Sequence, residues 1–237
     1  MKNNIALLAA GLLLATSAQA TVYTFHYTAS IEQLMQGANN ELVSVGASTV
    51  SGIDIVTTDT IVGSFSYDSA NTDQWSQYFS ASYNRAIYGD QTVAFSMGIA
   101  RTGQAGSSTS TSIQVTDSRN PAMFTDSVNI LGSGGIYSPG GEAVIMTVGF
   151  NGDSVDVLSR ARLPGEELLA FENGDVSLEF RHILQDYSYE QVVAKGHITS
   201  IKLINSSMAL SPVPEPGTYA MLLVGLGLLA WQRRRHG

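Results

Sequence analysis

Two runs of oxygen-bearing residues carry the spacing of a calcium site. Asp68-Ser69-Ala70-Asn71-Thr72-Asp73 and Asn151-Gly152-Asp153-Ser154-Val155-Asp156 set hard ligands close together, with Asp68, Asp73, Asp153 and Asp156 as the candidate carboxylates. Neither completes the twelve-residue calcium loop, whose glycine and distal glutamate are missing, and the same residue types also build plain turns. Calcium is thus the one cofactor the sequence leaves open. With no cysteine in the chain, a bound cation would be the available substitute for disulfides.

Catalytic constellations are poorly represented. A hydrolase needs a nucleophile with its base, or two carboxylates flanking a cleft. No serine sits in a Gly-x-Ser-x-Gly elbow and no His-x-x-x-His or His-Glu-x-x-His spacing occurs. His26, His182 and His197 fall on predicted strands, where half-buried positions account for them. Glu166-Glu167 follows Pro164-Gly165 and reads as loop decoration. The expectation is a protein that is not an enzyme.

Aromatic residues offer a binding surface instead. Trp75, Tyr78, Phe79, Tyr83 and Tyr88 interleave with Gln74, Ser76, Gln77, Asn84 and Asp90. Rings flanked by polar groups suit carbohydrate, because a ring has an apolar body and a wet edge. If 78–83 form one strand, Tyr78 points away from Phe79, Ala81 and Tyr83, which leaves Trp75 and Tyr78 as the exposed pair. The alternative is two strands facing the core with Trp75 capping a loop.

The two ends are substrates for processing. Lys2, the apolar Ile5 to Ala15 and the small residues Ala18 and Ala20 form a signal peptide over 1–20, with cleavage expected after Ala20. Eleven apolar residues fall short of the roughly 20 needed to cross a bilayer. At the other end, Pro214-Glu215-Pro216 precedes a fourteen-residue apolar run, Thr218 to Trp231, and Arg233-Arg234-Arg235. The prolines donate no main-chain hydrogen bond and hold the junction extended, as a peptidase substrate should be. The run makes about 21 Å of helix against about 30 Å of hydrocarbon, which suits a transient stop in the inner membrane. The arginines favour the cytoplasmic side and place the rest of the chain outside.

The intervening span, 21–211, is about 190 residues, enough for one core. It keeps 8 of the 12 Lys and Arg and 19 of the 20 Asp and Glu, so its net charge is about −11. That balance excludes nucleic acid and anionic membrane surfaces as partners, since both need clustered cations.

Period-two alternation predicts strands throughout. Tyr23, Phe25 and Tyr27 share one face; Ile61, Gly63, Phe65 and Tyr67 form a second stripe, and Val93, Phe95 and Met97 a third. Ala143 to Phe150 is apolar on both faces and reads as a central strand. Asn151-Gly152 and Asn173-Gly174 read as tight turns, the second joining Leu168 to Phe171 with Val176, Leu178 and Phe180 in a hairpin. His197 to Ile204 reads as the last strand, Glu32 to Gln36 as one short helical turn, and the glycine-rich stretches 102–112 and 132–141 as loops. The expected architecture is all-β: a single jelly-roll-like β-sandwich with an apolar sorting helix behind it, over 212–237.

The order Pro-Glu-Pro, apolar segment, basic cluster resembles the PEP-CTERM sorting signal of exported bacterial proteins. The resemblance implies handling by signal peptidase and then by an exosortase-like membrane peptidase. Within the domain, Gly63-Ser64-Phe65-Ser66-Tyr67-Asp68, Leu163-Pro164 with Leu168, Phe171 and Phe180, and Gly196-His197-Ile198-Thr199-Ser200-Ile201 resemble a recurrent exported domain of such proteins. That implies a secreted or surface-associated protein of bacteria that build extracellular polysaccharide. The expected role is structural or adhesive in a biofilm matrix, ending at the cell envelope, the surface or outside. The alternatives are a carbohydrate-binding module for the matrix polysaccharide and a polysaccharide-processing enzyme.

Overall fold

The computed structural model describes residues 21–39, 41–69, 74–89, 94–120, 122, 125–153 and 156–208. The signal peptide, Asp73, Val93 and the sorting tail, with Pro214 to Pro216 and Arg233 to Arg235, lie outside the described residues.

Strand makes up 64% of the described residues. The strands are β1 (Thr21–Ala38), β2 (Glu41–Ser44), β3 (Thr60–Asp68), β4 (Gln74–Phe79), β5 (Tyr83–Tyr88), β6 (Ala94–Ile99), β7 (Ala105–Ser107), β8 (Ser110–Ser118), β9 (Ser127–Gly135), β10 (Glu142–Asn151), β11 (Asn173–Ile183) and β12 (Tyr189–Met208). All belong to one open sheet in the order β4-β5-β8-β9-β10-β11-β12-β1-β3-β6-β7, with β2 beside β1. The domain is all-β as expected, and where a jelly-roll-like sandwich would have two sheets, one continuous antiparallel ladder joins every strand.

The sheet folds over on itself, and its two halves enclose the core. Alternation supplies the inner face. Phe25, Tyr27, Ile61, Phe65, Tyr67, Phe95 and Met97 are buried, as their stripes predict. Phe65 on β3 meets Phe150 on β10 edge-on at 6.0 Å, and stacks with Phe25 at 5.2 Å. β10 is central, bonded to β9 and β11.

The halves approach closely where side chains are absent. A Cβ on Gly106 would lie 2.6 Å from the Val144 side chain, and one on Gly134 would lie 2.2 Å from the Ser107 carbonyl oxygen. Thr109 N–H donates to the Ser133 carbonyl at 2.8 Å, extending the β8–β9 ladder up to this corner. Part of each glycine-rich stretch read as a loop is strand: β7 and the start of β8 in the first, the end of β9 in the second. Gly106 and Gly134 answer to close packing, whereas Gly103, Gly135 and Gly140 have the positive φ that favours glycine.

Three local expectations also change. Glu32 to Gln36 is strand, because β1 runs on to Ala38 and pairs Met35 with Ser44. Ile31 and Leu34 are both buried, with Glu32 and Gln33 exposed between them. This phase shift in the strand imitates a helical spacing. Asn173-Gly174 opens β11 instead of turning; Asn151 pairs with Asn173 and Phe150 with Gly174. Neither Asn-Gly pair has the positive φ of a tight turn. Leu168 accordingly belongs to a 3-10 turn, Glu166–Ala170, within the long β10–β11 connection. That connection plugs the core with the buried Leu158, Leu163 and Leu168. Two buried tyrosines pin it: Tyr67 Oη donates to Pro164 O at 2.8 Å and Tyr88 Oη to Ala161 O at 3.2 Å.

Candidate functional site

The aromatic candidates sit at a sheet edge. β4 ends the strand order, and its register with β5 slips between Gln74 and Ser76, so Trp75 occupies a bulge. Tyr78 is 55% exposed and Phe79 65%. The segment 78–83 is not one strand: Ser80 caps a reversal, its Oγ donating to Tyr83 O at 2.9 Å and accepting from Tyr83 N at 3.0 Å. Tyr78 and Tyr83 therefore lie on one face with ring centroids 5.5 Å apart, and the Arg85 guanidinium rides 5.1 Å from the Tyr83 ring.

Among the described residues, which leave out Asp73, no group of three metal-ligating side chains occurs. Asp68 ends β3 and is half-buried. Asp153 Oδ1 accepts from Asn173 Nδ2 at 2.9 Å, and Asp156 is exposed. Of the histidines, His26 is exposed on β1, His182 faces Glu142 across the β10–β11 ladder, and His197 Nδ1 lies 3.4 Å from Asp175 Oδ1. Glu167 holds its own loop, accepting from Gly165 N at 2.7 Å and Arg162 at 3.3 Å.

Several buried charged groups escape sequence reading. Asp126 is fully buried; its carboxylate accepts Ser118 N–H at 2.8 Å and Leu158 N–H at 2.7 Å, tying β8 to the β10–β11 connection. Asp117 is buried nearby. Loss of solvent raises its pKa above the usual carboxylate range and the Asp126 charge adds to this, against the bond from Asn84 Nδ2 at 3.4 Å. Arg101 clamps two carboxylates with its fork: Nε lies 2.6 Å from the buried Asp59, and the terminal nitrogens 3.0 Å from Asp54. These hydrogen bonds hold the Asp59 pKa below its ordinary value. Asp126 ties a loop to β8, Asp117 meets Asn84 across the β5–β8 ladder, and Arg101 joins the turn after β6 to the loop ahead of β3.

The most site-like feature crosses the outer face of β9 to β12. Register sets Asn129, Gly149, Asp175 and His197 in one row across four strands, and Leu131, Thr147, Ser177 and Lys195 in the next. Over Gly149 opens a cleft of about 420 Å³, lined by Asn129, Thr147, Asn151, Asp175, Ser177 and Lys195, with Glu32 and Gln33 from the phase shift in β1 at its rim. No sequence motif marks it, because its groups come from five strands. The only local signal is a glycine inside the apolar run 143–150.

Comparison with known proteins adds one match. The family model for the PEP-CTERM protein-sorting motif fits residues 212–235. No curated protein and no solved structure matches the chain. That motif implies export, processing by an exosortase membrane protein and sorting at the cell envelope. The chain carries a C-terminal PEP-CTERM protein-sorting motif.

Proposed function

We propose that the chain is a structural or adhesive, non-enzymatic component of the extracellular polysaccharide matrix, exported with its β-domain outward. The observation that carries this reading is the sorting motif following a domain built as one sheet. Its buried carboxylates Asp59 and Asp126 are engaged in structural hydrogen bonds, which supports a scaffold. A second reading, a carbohydrate-binding module, is favoured by the exposed Tyr78 beside Tyr83 and Arg85.

Native protein from the producing cell decides the first reading. Intact mass should show a chain that begins at Thr21 and lacks the segment from Gly217 onward, whereas a strain without its exosortase should retain Arg233 to Arg235. Cells lacking the protein should form a less cohesive matrix. A retained triple-arginine end in normal cells, or hydrolysis of the matrix polysaccharide by purified protein, overturns the proposal.

A further inference from the structure

We propose that the cleft over Gly149 is a binding site for a neutral, hydroxyl-rich ligand of the saccharide class; only its biological setting rests on the matrix role proposed above.

The first argument is the glycine itself. Gly149 occupies the middle strand of the meander, paired on both sides, where glycine weakens a strand relative to residues with side chains. Its φ is not in the left-handed region, so backbone geometry does not demand glycine. Nor does packing, in contrast to Gly106 and Gly134. A Cβ at Gly149 would meet within 4 Å only the Asn129 Oδ1 atom at 2.9 Å, the end of a side chain that can swing away. What the missing side chain supplies is the open floor of the cleft.

The second argument is the chemistry of the walls. Asn129 and Asn151 each present a donor and an acceptor, Thr147 and Ser177 offer hydroxyls, Asp175 and Glu32 accept, and Lys195 donates. A sugar hydroxyl both donates and accepts, so a pair of neighbouring hydroxyls can give to a carboxylate while taking from an amide or ammonium. A polyanion would face two carboxylates against one lysine. A bare cation would face that lysine. The volume, about 420 Å³, lies within the roughly 300–1,000 Å³ of small-molecule sites. The Asp175 carboxylate is further oriented by His197, 3.4 Å away.

The test uses the full chain in a zwitterionic detergent with no sugar headgroup, followed by amide NMR. The probes are neutral gluco-, manno-, galacto- and xylo-tetrasaccharides and, as the anionic arm, tri-galacturonate. At least one neutral probe should shift the amides of Asn129, Gly149, Ser177 and Gly196 saturably. Gly149→Val, which places a branched side chain on the floor of a strand that accommodates it, should keep or raise the melting temperature and weaken that probe at least tenfold. Ser177→Ala and Asp175→Asn, which leave the floor untouched, should each weaken it several-fold. No shift at the cleft with any neutral probe, undiminished binding by Gly149→Val or by both polar variants, or tighter binding of tri-galacturonate overturns the proposal. Sorting and envelope location of Gly149→Val, scored separately, report on the matrix role and stay normal if only the cleft assignment fails.

Discussion

Replacing Gly134 by alanine separates a folded-over sheet from a flexible loop by the sign of the effect. In a loop, Gly→Ala stabilises by about 0.4–1 kcal/mol, because the unfolded chain loses freedom. In this structure the new Cβ would sit 2.2 Å from the Ser107 carbonyl oxygen, roughly 1 Å inside the 3.3 Å or more of a close carbon–oxygen contact. That oxygen is backbone of the facing layer, so β7 or β9 must shift. Overpacking of this kind costs about 1–3 kcal/mol, and the upper end is expected for Gly134→Ala. Gly106→Ala, which meets Val144 methyls at 2.6 Å and 2.7 Å, should cost less, about 1–2 kcal/mol. Neither glycine has positive φ, so backbone strain does not confound the comparison. Denaturant midpoints followed by far-ultraviolet circular dichroism give the values; by melting temperature Gly134→Ala should fall by about 5–10 °C. On a Val144→Ala background, Gly106→Ala should become nearly neutral, a coupling of about 1 kcal/mol. Stabilisation by both single substitutions, or additivity in that cycle, refutes the packing of β7 against β9 and β10.

Acid should act through the Arg101 clamp. The Asp59 carboxyl has a folded-state pKa below its unfolded value of about 3.9, so its contribution is complete above that value and is lost as pH falls through the folded pKa. The stability gap between the parent and Arg101→Met should therefore be open at pH 7 and close below about pH 4 in thermal melts; a gap independent of pH would count against it. Tyr78→Ala should change stability by no more than about 0.5 kcal/mol, since the ring is largely exposed, while retention on immobilised matrix polysaccharide falls if the aromatic reading holds. Unchanged retention removes that reading's support.

Signals carried by neighbouring residues were legible in the sequence. The stripes through Phe25, Phe65 and Met97 name the core because a strand exposes alternate residues to one face whatever it pairs with. The sorting motif is linear and could be read directly. Features set by the opposing layer were not legible. Gly106 and Gly134 look like loop glycines until β7 is seen lying over β9 and β10. Ile31 and Leu34 look helical because two exposed residues separate them. Asn173-Gly174 is turn chemistry overruled by ladder pairing with β10. The cleft is invisible for a related reason: Glu32, Asn129, Thr147, Asp175 and Lys195 converge only once the register is fixed.

The adjacency of β1 and β12 governs when this chain can finish folding. The first strand lies beside the last, with Thr28 and Thr199 hydroxyls 3.1 Å apart across 171 residues. A chain threaded outward from its N-terminus exposes β1 and β3 long before β12 follows, so until then the middle of the sheet has two bare edges. Contacts of such long sequence separation are entropically costly to close and fold slowly. The topology thereby keeps the protein incomplete through most of its passage and lets the sheet join only after Tyr189 to Met208 has emerged, immediately ahead of the sorting signal.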